Sequence, residues 1–128
     1  MTHRRGVLAA VLLVTPWLFS GPAYSQSFDC AKAATPVEHS ICDDKKVGDL
    51  DVELANQVKE ERAASPNQQI FILKSERRWL GIRDMQCWAE GASGRQVRDC
   101  LEATYKSRIA ELKALTRQRQ LEPGSDDD

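Results

Sequence analysis

"RRWLGIRDMQCWAEGASGRQVRDC", residues 77–100, contains the feature that decides the fold. Two segments with helical spacing flank a short stretch containing Gly91 and Gly94, a residue type that commonly ends helices. Cys87 lies about one helical turn before this stretch, and Cys100 lies about one turn after it. Because antiparallel helices bring such positions together, the spacing predicts a helical hairpin closed by a Cys87–Cys100 disulfide.

Working outward from the hairpin, the rest of the chain also has helical signals. Thr35, Pro36 and Glu38 form a helix start, with Thr35 as the cap and Glu38 completing a capping box. Apolar residues then recur at helical spacing, and no segment shows the alternation of a strand. The sequence therefore predicts a small all-α domain of about four helices, the last two forming a long antiparallel hairpin. The expected ranges are 35–44, 47–64, 67–89 and 95–120.

The N-terminus is typical of an export signal. Arg4 and Arg5 precede a nearly continuous apolar run at 7–19, and Ala23-Tyr24-Ser25 offers small residues for signal peptidase. The run is too short to span a membrane, and no lipidation box precedes Cys30. We predict a signal peptide at 1–25, cleaved near Ser25, a helical domain at 26–121, and a disordered acidic tail at 122–128. The localisation expected is periplasmic or secreted, without a stable membrane anchor.

Export also determines how the four cysteines are interpreted. An even number in an oxidising compartment indicates two disulfides, and the spacing lacks the close pairs of a zinc site. If Cys87 pairs with Cys100, Cys30 is left to pair with Cys42, and the other two pairings stay open. Each bridge would close a loop of roughly a dozen residues and so stabilise the folded state by about 3 kcal/mol in the chain-entropy model.

Charged residues interrupt the predicted apolar stripes. Asp51 lies between Leu50 and Leu54, while Arg108 lies in line with leucines of the fourth helix. On the third helix, Glu76 and Arg83 fall on the face that Ile72, Leu73, Trp79, Leu80 and Cys87 would form. Because an unpaired buried charge is unfavourable, we expect a structural ionic network of Asp51, Glu76, Arg83 and Arg108, shielded by Trp79.

A catalytic interpretation of these charges is weaker. Asp51 with Glu76 would need a raised pKa on one member, and Arg83 and Arg108 are expected to lower both. His39 and Ser40 are helical neighbours that do not face each other. The sequence has no glycine-rich phosphate loop and no metal-ligand cluster. We therefore expect neither an enzyme nor a cofactor.

Charge is unevenly distributed along the mature chain. Residues 26–61 carry four basic and nine acidic side chains, whereas residues 62–121 carry twelve basic and six acidic ones. The favoured interpretation is that the two halves pack on each other, and the alternative is a basic face for an anionic partner. Trp88 points away from the apolar face and would either pack on the N-terminal arm or anchor a partner. The candidate partner-binding residues are Asp43, Asp44, Asp49 and Trp88.

Four segments resemble, in order, the lysozyme inhibitor LprI-like N-terminal domain family. They are "CAKAATPVEHSICDD", "LDVEL", "ERRWLGIRDMQC" and "CLEATYKSRIAEL", and they cover about residues 28–115. The motif positions include Thr35, Glu38 and all cysteines from Cys42 onward. They also include three of the four charged residues on the apolar stripes, which we call the stripe charges: Asp51, Arg83 and Arg108. The resemblance implies a small exported bacterial helical domain.

The resemblance also implies a function. We expect a binding protein of the cell envelope that inhibits lysozyme-type muramidases by protein–protein contact. Lysozymes are typically basic, so the acidic stretch at 43–53 would suit them. The alternative is a non-inhibitory scaffold contacting another envelope protein or an anionic surface. No nucleic-acid partner is expected, and the sequence leaves the oligomeric state open.

Overall fold

The computed structural model describes residues 27–122. It contains four α-helices: α1 (Pro36–Asp43), α2 (Lys45–Ala64), α3 (Gln69–Cys87) and α4 (Gly94–Leu121). Short 3-10 turns at Cys30–Lys32 and Pro66–Gln68 precede α1 and α3. No strand occurs in the described range. The all-α prediction is confirmed, and the third helix is shorter than expected because its first turn is the separate 3-10 element. The predicted signal peptide and residues 123–128 lie outside the described residues.

The helix starts follow from local side-chain caps. Thr35 Oγ1 accepts from the Glu38 amide at 3.1 Å, and the Glu38 carboxylate accepts from the Thr35 amide at 3.0 Å. Ser93 and Gln96 make an equivalent box at α4. Gly91 has a φ of 80° in the turn before α4, a conformation that suits glycine because it lacks a Cβ. Glu122, the first residue of the predicted tail, caps the end of α4 through its amide.

The contacts between helices establish their directions. Residue pairs 87/100, 83/105 and 76/108 join α3 to α4, so the numbers fall on one helix as they rise on the other. The pairs 51/105, 53/113 and 61/116 join α2 to α4 and rise together. Helices α2 and α4 are therefore parallel, and α3 is antiparallel to α4.

The core lies mainly between α1, α2 and α4. Its buried apolar members come from these helices, together with Cys87 of α3: Val37, Ile41, Val47, Leu54, Cys87, Val97, Leu101, Tyr105, Ile109 and Leu112. Tyr105 is the largest fully buried side chain. Leu115, farther along the same helix, is exposed.

Both disulfides have the expected pairing. Cys30 is joined to Cys42 with a Cα–Cα distance of 5.9 Å, which ties the segment before α1 onto that helix. Cys87 is joined to Cys100 at 5.4 Å, across the turn between α3 and α4. No described cysteine is free.

The inward face of α3 is narrower than predicted. Ile72, Arg83 and Cys87 are buried, and Trp79 is half-buried. Leu73 and Leu80, which were assigned to the same face, are exposed. The helix carries apolar residues on several sides, so periodicity alone does not identify the side that packs.

Candidate functional site

The Tyr105 hydroxyl is the centre of a buried polar cluster that joins three helices. It donates to Asp51 Oδ1 of α2 at 2.8 Å and accepts from Arg83 Nη1 of α3 at 2.8 Å. The second carboxylate oxygen of Asp51 accepts from both the amide and the hydroxyl of Ser27, each at 2.6 Å. Burial raises the pKa of the Tyr105 phenol far above its ordinary value, so the hydroxyl keeps the proton it donates to Asp51.

Arg83 is held by aromatic rings as well as by hydrogen bonds. Its guanidinium carbon lies 5.8 Å from the ring centroids of both Trp79 and Tyr105, within cation–π range. The two rings meet edge to face, with centroids 5.3 Å apart. On its other side Arg83 donates to Asp84 Oδ1 through Nε at 2.8 Å. Trp79 therefore shields the arginine, as the sequence had indicated.

Arg108 forms a second cluster farther along the α3–α4 hairpin. Its Nη2 donates to Ser75 Oγ at 3.0 Å and lies 3.4 Å from Glu76 Oε2, while Nη1 donates to Glu111 at 2.8 Å. Arg108 Nε is buried without a hydrogen-bond partner in residues 27–122. Burial raises the pKa of Glu76, and this effect outweighs the opposing attraction of Arg108. Arg108 and Arg83 do lower the pKa of Glu76, as the sequence led us to expect, but burial outweighs them and the net shift of this pKa is upward.

The four stripe charges therefore divide into two clusters instead of one network. No direct pair links Arg83 to Asp51 or Glu76 among the described ion pairs, because the Tyr105 hydroxyl stands between Arg83 and Asp51. Asp51 and Glu76 do line the same depression between α2 and α3. Both oxygens of Asp51 already accept strong hydrogen bonds there, so the carboxylate is held by the protein in a structural arrangement.

Another buried acid, Glu61, was not predicted from the sequence. It is 2 % exposed and accepts from Thr116 Oγ1 and Arg119 Nε, each at 2.7 Å. A signal was present: Glu61 lies seven residues after Leu54 and therefore on the same helical stripe. Tyr105 had a comparable signal, four residues after Leu101.

The candidate partner-binding residues lie at the end of the bundle that holds the α3–α4 turn. Asp44 caps α2 by accepting from the Val47 amide at 3.0 Å, and its other oxygen is 3.5 Å from Arg98. Asp49 pairs with Lys45 at 2.6 Å in an exposed bridge. Asp43 is exposed at the end of α1. The pairs with Arg98 and Lys45 partly neutralise the acidic stretch at 43–53, which the sequence had suggested as a binding surface for a basic partner.

Trp88 is 45 % exposed and is the C-cap residue that follows α3. Its amide donates to the Asp84 carbonyl at 3.2 Å, closing the last turn. A large aromatic ring is therefore exposed beside the Cys87–Cys100 bridge.

Among residues 27–122, no group of three or more His, Cys, Asp or Glu side chains is arranged to hold a metal ion. No helix in that range is long and apolar enough to cross a bilayer.

The model of the lysozyme inhibitor LprI family matches residues 30–112. This range begins at the first cysteine, contains both disulfides and reaches the last buried leucine of α4. The chain belongs to the LprI family. LprI proteins are lysozyme inhibitors at the family level, and the match includes Asp51, Arg83 and Tyr105 as well as the Arg108 cluster.

Individual LprI proteins share only moderate sequence identity with this chain. The chain is 27% identical over 106 residues to the Lipoprotein LprI of Mycobacterium bovis and of Mycobacterium tuberculosis. The aligned region covers 83% of this chain and 50% of each relative, so the chain spans about half the length of the curated LprI proteins it matches. No solved structure matches the chain significantly.

Proposed function

We propose that this chain is an exported inhibitor that binds lysozyme-type muramidases and blocks them by protein–protein contact, without catalysis of its own. The observation that carries the proposal is the LprI family match, which extends over 83 consecutive residues at 30–112. The region matched contains nearly all of the core and both disulfides, so it is the folded domain that is shared.

Two features support export as part of the proposal. The first 25 residues have the composition of a signal peptide. Two disulfides persist in oxidising compartments and are rare in reducing ones. We therefore place the mature domain in the periplasm or outside the cell, with cleavage near Ser25.

The end of the bundle at the α1–α2 junction is the surface we assign to the muramidase. Asp43 and Asp49 are exposed there, and only Asp49 shares its charge with an exposed lysine, Lys45. Because exposed pairs are weak, a basic partner can replace Lys45 at low cost. Trp88 adds an apolar anchor at the same end of the bundle.

An assay of cell-wall lysis tests the proposal. The oxidised mature protein is mixed with a c-type lysozyme at two salt concentrations, and lysis is followed over time. We expect inhibition at near-stoichiometric ratios that weakens at the higher salt, because salt screens exposed charges. Absence of inhibition across several lysozyme classes would contradict the proposal and favour a scaffold role.

Two variants locate the surface. Asp43→Asn should weaken inhibition about two- to fivefold, the effect of one exposed charge at an interface. Glu60→Gln is the matched control, since it removes the same charge from an exposed position near the far end of α2, about 23 Å away along the helix. Equal loss in both variants would show that net charge matters and that this end of the bundle does not.

A further inference from the structure

The side of α3 turned away from the bundle carries large apolar side chains in water. Met85 is 83 % exposed, Ile70 71 % and Phe71 68 %. Ile70 and Met85 lie opposite Ile72, Arg83 and Cys87, which face the other helices. Phe71 lies at the edge of this side, where it also borders a depression shared with Ile72 and Leu112. Ile70 and Met85 are 15 residues apart, so the apolar positions extend over about 22 Å of helix. Scattered exposed leucines are ordinary, whereas three highly exposed large side chains on one helix face indicate a contact surface.

Basic residues occupy the positions between these apolar side chains. Lys74, Arg77 and Arg78 are all exposed, and none forms an ion pair with another described residue. The two acids of the helix are engaged elsewhere, Glu76 with Arg108 and Asp84 with Arg83. We call this surface the outer face of α3, comprising Ile70, Phe71, Lys74, Arg77, Arg78 and Met85. It combines three uncompensated positive charges with exposed apolar area.

We infer that the outer face of α3 docks on an anionic lipid bilayer, with the helix lying parallel to the membrane surface. A bilayer supplies both properties the face requires: anionic headgroups for Lys74, Arg77 and Arg78, and an apolar boundary for Ile70, Phe71 and Met85. The side chains are already exposed, so docking requires no unfolding of the bundle. This inference is independent of whether the chain inhibits a muramidase.

Other occupants fit the face less well. A second copy would bring two sets of three positive charges together, and like charges across an interface are unfavourable. A muramidase of the usual basic type meets the same repulsion. An anionic glycan would satisfy the three cations but leave Phe71 and Met85 in water. Charge complementarity together with the apolar side chains selects the bilayer.

Vesicle sedimentation tests the inference on the oxidised mature protein. We expect binding to vesicles of mixed phosphatidylcholine and phosphatidylglycerol, and much weaker binding to pure phosphatidylcholine. Binding should fall as salt rises, because the headgroup attraction is screened. Equal binding to both vesicle types, or no binding to the anionic ones, would overturn the inference.

Matched variants identify the face. Phe71→Ser should lower the partition coefficient about tenfold by removing apolar burial, whereas Phe71→Leu should retain most of it. Lys74→Gln should lower it about fivefold, the effect of one basic residue near an anionic surface. Lys59→Gln removes the same charge from an exposed position on α2 and should have a smaller effect.

Two results would reassign the face. If Phe71→Ser and Lys74→Gln bind anionic vesicles as well as the unmodified protein, the outer face of α3 is not the lipid contact. If sedimentation equilibrium shows a dimer that Phe71→Ser dissociates, the face pairs two copies. Melting temperatures should be unchanged in these variants because the substituted side chains are exposed.

Discussion

Helix α4 buries seven of its 28 residues, whereas α3 buries three of its 19. The buried residues of α4 are mostly apolar and pack against α1 and α2. On α3 they are Ile72, an arginine and a disulfide-bonded cysteine. Helix α4 is therefore held chiefly by apolar burial, and α3 is held by specific bonds: the Cys87–Cys100 bridge, Arg83 to Tyr105, and Glu76 to Arg108. The difference leaves the outer face of α3 free for another surface.

Tyr105 belongs to the apolar core of α4 and also holds Arg83 of α3 by a hydrogen bond. Truncating it should therefore cause the largest loss in the free energy of unfolding. Tyr105→Ala removes a fully buried ring and leaves both Asp51 and Arg83 without their shared partner. We expect a loss of about 4 kcal/mol in the free energy of unfolding, measured by urea denaturation.

The matched variant Tyr105→Phe keeps the ring and removes only the hydroxyl. It should lose about 2 kcal/mol, the cost of leaving a buried carboxylate short of one donor. If Tyr105→Phe is as stable as the unmodified protein, the hydroxyl does not contribute to holding α3.

Trp79 within α3 and Trp88 just after it test which side of this helix packs against the bundle. Trp79 packs on Tyr105 and Arg83, so Trp79→Ala should lose about 3 kcal/mol. Trp88→Ala should lose less than about 1 kcal/mol, because the ring is nearly half exposed at the helix end. Equal melting temperatures for the two variants would show that the inward and outward sides are assigned wrongly.

Arg83→Ala should have a smaller effect than either ring truncation within the cluster. The variant loses one buried hydrogen bond and two ring contacts, for about 2 kcal/mol, while Asp84 can be solvated. Arg78→Ala, an exposed arginine on the same helix, is the control and should change stability by less than about 0.5 kcal/mol. A loss as large as that of Tyr105→Ala would mean that Arg83 pairs directly with a buried acid.

The smallest expected effects are opposite pH dependences at two glutamates. Burial raises the pKa of Glu76 above 4.5, so its contribution to stability is present below that pH and is lost as pH rises through the folded-state pKa. Backbone hydrogen bonds from Ala34 and Thr35 lower the pKa of Glu38, so its contribution is present above 4.5 and is lost as pH falls through the folded-state pKa.

Denaturation at several pH values between acid and neutral checks these signs. As pH rises, the free energy of unfolding of Glu76→Gln should increase relative to that of the unmodified protein. The free energy of unfolding of Glu38→Gln should decrease relative to it. The same sign for both variants would contradict the assignment of one glutamate to a buried cluster and the other to a helix cap.

The sequence by itself determined the local features of this protein. The capping box of Thr35 and Glu38 was predicted because caps depend on residues three positions apart. The helical hairpin followed from the spacing of Cys87 and Cys100 around two glycines, since a short turn fixes which neighbouring positions can meet. Both are consequences of the covalent chain over a few residues.

Only the tertiary structure decided which side of α3 packs and how the buried charges are paired. Leu73 and Leu80 were expected inside and are exposed, because α3 has apolar residues on several sides and its periodicity selects no single face. The division of Asp51, Arg83, Glu76 and Arg108 into two clusters depends on Tyr105, which is distant from Asp51 and Arg83 in the chain. Hydrogen bonds between residues 22 and 54 positions apart are set by how whole helices pack, and no local pattern specifies that.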